Sequence, residues 1–313
     1  MRGGIKWQVN EVFKTLIAFG QSKHQDKEII RSTFNATSVS NTWHNLGKEL
    51  KIYSYRTADQ YRMVAVDMMK YVKQEFKLKD ITKLTNEHIS AYLESKIADG
   101  IKYSTFQNYS AALEKLETAL NKYSAINNLN TTYKFDISSV RKEAQEVLER
   151  SQLTRAYENP QALINAVKDP LFRLVAQSQL EGGFRVSELN HLSQKNFLEN
   201  NTFLVISGKG GLDREVPLSE KTYNALKELA LHPNLENGKF GFDMDKYRNA
   251  LKQAALDSKQ EYTGSHGLRW NFAQYKFFEF QQKGYGYEQS LKQVSELLGH
   301  HRADITKHYL QIA

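Results

Sequence analysis

Residues 202–218 read TFLVISGKGGLDREVPL, and they carry the one clear β signal in a chain whose other segments repeat their apolar residues at helical spacing. Thr202 to Ile206 is a β-branched and aromatic run, the kind of segment that packs well on a pleated surface. Gly208-Lys209-Gly210-Gly211 follows, then Arg214 to Leu218. Two extended runs about a glycine-rich turn predict a hairpin with Lys209 at its tip. GKGG is not a phosphate-cradling loop, because the upstream glycine and the following Ser or Thr are missing. Beyond the hairpin the pattern predicts helices over about 220–231 and 245–258. Upstream, Tyr61, Val64, Met68 and Val72 share one stripe, and Ile89, Tyr92, Leu93 and Ile97 another behind Thr85. Tyr109, Leu113, Leu116 and Leu120 make a third, opened by Ser104 and Gln107 in capping-box spacing. The expected fold is mainly α with a small β hairpin, in two domains.

The expected boundaries follow changes of character along the 313 residues. Residues 1–36 read as an N-terminal arm with a short helix, on Val9, Val12, Phe13, Leu16 and Ile17. That helix either packs on the next domain or makes an extra DNA or subunit contact. Residues 37–125 read as a small helical bundle. Arg62, Lys70, Lys73, Lys96 and Lys102 lie on its polar faces, where they are ordinary solvated charges or a track for a DNA backbone. Residues 126–152, Asn-rich and then charged, read as a linker with some helix, and 153–313 as a second domain.

Composition narrows the chemistry. With no cysteine, disulfides and thiolate catalysis are excluded, which fits a reducing cytoplasm. No run approaches the roughly 18 apolar residues of a membrane span, so a cytoplasmic protein with no membrane partner is expected. The formal net charge is +8 and the sequence pI about 9.2. Such a balance favours a polyanionic partner through counterion release, although many basic proteins bind no nucleic acid.

Five places in the second domain bear chemistry. Gly182-Gly183-Phe184-Arg185-Val186-Ser187-Glu188-Leu189 sets an arginine three residues before a carboxylate. Lys209 stands at the hairpin tip. In Ser265-His266-Gly267-Leu268-Arg269 the spacing puts His266 beside Arg269 on a helix. Leu297-Leu298-Gly299-His300 is the fourth, and Tyr309, nine residues beyond His300, the fifth. Each alone reads as an ion pair, a turn lysine or a packing residue. Together, and in this order, they resemble the catalytic signature of the tyrosine recombinase (phage integrase) family. GGFRVSEL is similar to its T-G-x-R-x-x-E-L box, SGKGGLDREVPL to its hairpin-lysine segment, HGLRWNFA to its H-x-L-R-H box and LGHHRADITKHYL to its L-G-H-x(8)-Y box. The 24 residues from Arg185 to Lys209 match the Xer-like members. YSTFQNYSAALEKL resembles the family's core-binding domain more weakly.

The resemblance implies a helical core-binding domain over 37–125 and an α+β catalytic domain over 153–313, clamping double-stranded DNA. It implies strand cleavage and rejoining through a 3′-phosphotyrosyl intermediate, and strand exchange through a Holliday junction by a homo-tetramer on paired sites, with monomers or dimers otherwise. Integration, excision or dimer resolution would be the outcome. Topoisomerase-like relaxation, telomere resolution or a non-catalytic DNA-binding role are the alternatives. Charge chemistry agrees: guanidiniums suit the nonbridging oxygens of a phosphodiester, which assigns Arg185 and Arg269 to a clamp. By resemblance Tyr309 is the nucleophile, Lys209 the general acid, His266 a proton acceptor from the tyrosine, and His300 a donor to the phosphate. Glu188 orients this shell. The scheme calls for no metal, nucleotide or other cofactor.

Three departures stand out. Trp270 occupies the place of a second histidine in many relatives. Arg269 and His300 are 31 residues apart, longer than in Xer-like members, which predicts an added loop within Gln281 to Gln289. The sequence ends four residues after Tyr309, where many relatives continue into a C-terminal helix that docks on a neighbour, so the inter-subunit contact is left open.

Overall fold

The predicted stripes become the core of the first of two units in the computed structural model, which describes residues 1–37, 40, 42–149, 154–206, 213–231, 239–299 and 303–310. The units are Met1–Ser151 and Gln152–Ala313. In the first, seven helices run α1 (Ile5–Lys14), α2 (Lys23–Thr37), α3 (Trp43–Glu49), α4 (Tyr55–Glu75), α5 (Asn86–Ala98), α6 (Tyr103–Ile126) and α7 (Ser138–Val147). Val64, Met68 and Val72 of α4, Ile89, Tyr92, Leu93 and Ile97 of α5, and Leu113, Leu116 and Leu120 of α6 are buried together. Ser54 caps α4 by accepting from the Thr57 N–H at 3.2 Å, satisfying a donor that the first turn leaves orphaned. The expected box at Ser104 and Gln107 does not form: α6 starts at Tyr103 behind Lys102, with no side-chain cap.

The N-terminal helix packs on the helices that follow it, the first of its two expected placements, with Val9, Val12, Phe13 and Leu16 in the same core. The Ile52 N–H donates to Leu16 O and the Ala18 N–H to Ile52 O, both at 2.9 Å, a parallel bridge that ties this segment down. The stretch 126–152, read as a linker with some helix, sits otherwise. Tyr133, Phe135, Ile137, Val140, Ala144 and Leu148 all enter that core, at spacings that shift from extended to helical and so leave no single period to read.

A smaller cluster of Phe34, Leu46 and Leu50 packs α2 against α3. Below it Lys115 reaches from α6 to the end of α3, where its Nζ donates to Gly47 O (2.8 Å), Lys48 O (3.0 Å) and Leu50 O (2.7 Å). An ammonium there satisfies orphan carbonyls at the negative end of a helix dipole. Burial still pushes its pKa down to about 8.

The second unit contains α8 (Pro160–Ala166), α9 (Pro170–Gly182), β1 (Thr202–Val205), β2 (Arg214–Pro217), α10 (Glu220–Leu231), α11 (Met244–Asp257), α12 (His266–Gln282), α13 (Tyr287–Leu298) and α14 (Ala303–Tyr309). Asp169 caps α9, accepting from Leu171 and Phe172 N–H groups. The two strands pair antiparallel, with Phe203 opposite Val216 and Val205 opposite Arg214. This is the expected mainly helical fold with one small hairpin; its tip, Lys209 included, lies outside the described residues. α12 packs on α9, α13 and α14. The expected extra loop is absent: only Lys283 to Gly286 separates α12 from α13, so the long interval before His300 is filled by helix.

Candidate active site

The motifs among the described residues stand at the ends of elements. α9 stops at Gly183, which takes φ +61, a left-handed conformation that costs residues with a Cβ. Added there, a Cβ would lie 2.4 Å from the Phe272 ring. The chain turns into Phe184 and Arg185, and a 3₁₀ turn over Val186–Glu188 follows. That tight turn folds Glu188 back: its carboxylate accepts from the Arg185 backbone N–H at 2.9 Å and from the Arg185 guanidinium at 2.5 Å. Arg214, on β2, donates at 2.8 Å to Oε2 of the same carboxylate, the oxygen that also accepts from the Arg185 N–H.

His266 and Arg269 share the first turn of α12. Arg155 and Tyr157 hold that turn, donating to Thr263 O (2.6 Å) and Gly264 O (3.2 Å). The Asn271 side chain pairs with the Tyr157 backbone in both directions, at 3.0 and 2.8 Å. Gly267 is required there, since a Cβ would meet Arg155 O at 2.6 Å. Arg269 is fully buried. Its guanidinium donates to Gly183 O and, at 2.6 Å, to Leu298 O. Those are the C-terminal ends of α9 and α13, where a cation is favoured. One side chain thus fastens the segment leading to Arg185 to the one leading to His300.

Tyr309 is the last residue of α14 and is 6% exposed. Its hydroxyl lies 3.0 Å from His266 Nε2, and a hydrogen bond with it supports the charge on Arg269. Trp270 covers the ring from below, with centroids 5.2 Å apart, and meets His308 edge-on at 4.9 Å. Gln274 donates to Tyr309 O at 3.1 Å, fixing the end of α14. Trp270 is 2% exposed, so the departure at this position serves as a packing floor for the tyrosine.

Of the residues expected from sequence, the structure brings His266, Arg269 and Tyr309 into one contact group and sets Arg185 and Glu188 beside it. His300, like Lys209, lies outside the described residues. Arg214 was not expected. It is 8% exposed, and burial, aided by the charges of Arg269 and Arg185, pushes its pKa down to about 10. The same surroundings lower that of Arg269, burial first and Arg185 next. The signal for Arg214 was present: strand alternation puts it on the face of Val216 and Leu218. Three guanidiniums around one carboxylate leave the site positive, suited to an oxyanion.

Comparison with known proteins bears on the family and the fold. The profile of the phage integrase family matches residues 146–313, more than half of the chain. That of the phage integrase N-terminal domain matches 39–123. A curated relative, tyrosine recombinase XerC of Natranaerobius thermophilus, is 26% identical over 284 residues, 84% of this chain and 90% of its own. Among solved structures, a lambda integrase dimer bound to a COC′ core site superposes with TM-score 0.60 at 16% identity, covering 93% of this chain and 77% of that one. The Tn1549 transposon integrase in complex with transposon right end DNA gives 0.55 at 15%, covering 92% and 95%; both likenesses concern the fold. The ordered motifs, the gathered side chains and the family profile lead to one conclusion: the chain belongs to the phage integrase family, the tyrosine recombinases.

Proposed function

We propose that this enzyme breaks and rejoins DNA at specific sites with Tyr309 as the nucleophile. The observation that carries the reading is the 3.0 Å approach of His266 Nε2 to the Tyr309 hydroxyl, beside a buried guanidinium. In the first step the Tyr309 oxygen bonds to phosphorus and the bond from phosphorus to the 5′ oxygen breaks. The phenolic proton passes to His266, and Lys209 supplies a proton to the departing oxygen. Arg185 and Arg269 meet the nonbridging oxygens, His300 adds a hydrogen bond, and Glu188 orients Arg185. The roles of Lys209 and His300 rest on the sequence motifs alone. A 5′ hydroxyl from a partner strand then attacks the phosphotyrosine and restores a phosphodiester, so the bond energy is kept and no nucleotide is consumed.

The partner is double-stranded DNA, a reading supported by the basic charge and by the DNA-bound neighbours. We place the reaction in a homo-tetramer on paired sites, passing through a Holliday junction. Incubation with a nicked site, whose short fragment bearing the freed 5′ hydroxyl diffuses away after cleavage, should trap a covalent adduct. Tyr309→Phe should abolish it while leaving DNA binding intact; an adduct that persists in that variant overturns the assignment of the nucleophile.

A further inference from the structure

Arg214 stands where simple packing favours an apolar residue. It opens β2 on the strand face that also carries Val216, opposite Val205 and beside Phe203, all buried. Desolvating a guanidinium there costs free energy that an aliphatic side chain does not incur. Its Nε has no hydrogen-bond partner among the described residues, so local bonding only partly offsets that cost. What the position provides is reach. The guanidinium lies 5.7 Å over the Phe184 ring, donates to Glu188 at 2.8 Å, and its stem passes Gly299 closely enough that a Cβ there would be 3.1 Å from Cδ. Gly299 has φ +68 and no side chain, which lets the arginine through. Phe184 and Glu188 flank Arg185, Gly299 precedes His300, and β2 continues the hairpin of Lys209.

We infer that Arg214 is a positioning residue for cleavage: it neutralises Glu188 from behind and so holds Arg185 in place, with its charge available to the scissile phosphate. The inference rests on the reaction proposed above. Its logic is one of charge. The Glu188 side chain is 6% exposed, and a buried carboxylate must be paired. With Arg214 present, two guanidiniums share it. Without Arg214, Arg185 alone must neutralise it and is drawn inward, away from the substrate. The Arg214 guanidinium, whose pKa is lowered to about 10 by burial, remains protonated at neutral pH, so the device works through geometry rather than titration.

The test uses the full-length chain in single-turnover cleavage of two nicked DNA sites. One carries the ordinary phosphodiester, the other a methylphosphonate at the scissile position, whose missing nonbridging charge lessens the need for a guanidinium clamp. Arg214→Met should slow adduct formation on the phosphodiester about 100-fold, the scale of a small misplacement of a reacting group. DNA affinity should hold, and the deficit should shrink to about 10-fold or less on the methylphosphonate. Adding Glu188→Gln to Arg214→Met should cause no further loss, because the carboxylate that draws Arg185 inward is gone. Arg214→Gln removes the charge while keeping a polar end, and carries the same comparison if the methionine variant does not fold. Equal deficits on both substrates, native-rate cleavage by the Arg214 variants, or matching losses of binding and cleavage would overturn the inference. Failure of the native chain to form any adduct would instead overturn the proposed reaction.

Discussion

A phenol in water keeps its proton up to about pH 10, so the groups around the Tyr309 oxygen decide whether it can attack. Here an imidazole nitrogen stands 3.0 Å away and a buried guanidinium is close enough to hydrogen-bond. His266→Gln should therefore slow adduct formation by about 100-fold or more, the usual contribution of a positioned base, with little change in gel-shift affinity. Arg185→Ala should likewise reduce cleavage far more than binding; equal losses would mark it as a general phosphate contact. Gly183 tests the frame rather than the chemistry. Its positive φ and the Phe272 ring at 2.4 Å from any added Cβ predict that Gly183→Ala destabilises the second unit by more than about 1 kcal/mol, measured by urea unfolding. At this scale the sequence was informative because the roles proposed for His266, Arg269 and Tyr309 are ones that few residue types can fill at that spacing. Arg214 was less visible, because the first residue of a strand is an ordinary place for an arginine; alternation places it on the face of Val216, but only the structure showed it paired with Glu188.

The elements explain why short motifs meet. Arg269 joins the ends of α9 and α13, so helix C-termini, not loops, position two of the motifs. In the first unit Lys115 does the same for α3. Its pKa is lowered from 10.5 to about 8 in the folded protein, so between these values the unfolded chain binds more protons. Unfolding free energy then rises with pH through that window. The contribution is full above the unfolded value and lost as pH falls through the folded one. Urea midpoints of the native chain and Lys115→Met should accordingly diverge in the native chain's favour from pH 8 to 10.5; a constant difference would mean that the buried ammonium does not titrate there. Long regular helices such as α4 and α6 were legible from their stripes. The entry to α6 was not, because Lys102 and Tyr103 start the helix without the capping bonds that a pattern search relies on.

At the scale of the whole molecule, 43 basic residues against 35 acidic ones predict DNA binding that weakens linearly in log K against log salt. The slope is near −0.9 for each phosphate neutralised. A flat salt profile in a fluorescence-anisotropy titration would argue against a phosphate-tracking surface. A break near residue 152 was legible, since the second domain was expected from 153 and the second unit begins at Gln152, but the packing of 126–152 into the first unit was not. Tyr133, Phe135, Ile137, Val140, Ala144 and Leu148 extend the first core through a stretch whose composition reads as a connector. Asn-rich sequence marks a turn-forming preference, whereas burial is decided by the partners that the rest of the unit supplies.

The indole of Trp270 lies against Tyr309 and His308, screened from water. It is one of three tryptophans, so replacing Trp7 and Trp43 with phenylalanine leaves a single tryptophan against the seven-residue helix that ends at Tyr309, the proposed nucleophile. Its emission maximum becomes an optical gauge of whether that helix is seated: blue while the tyrosine is docked, red once α14 lifts and water reaches the ring.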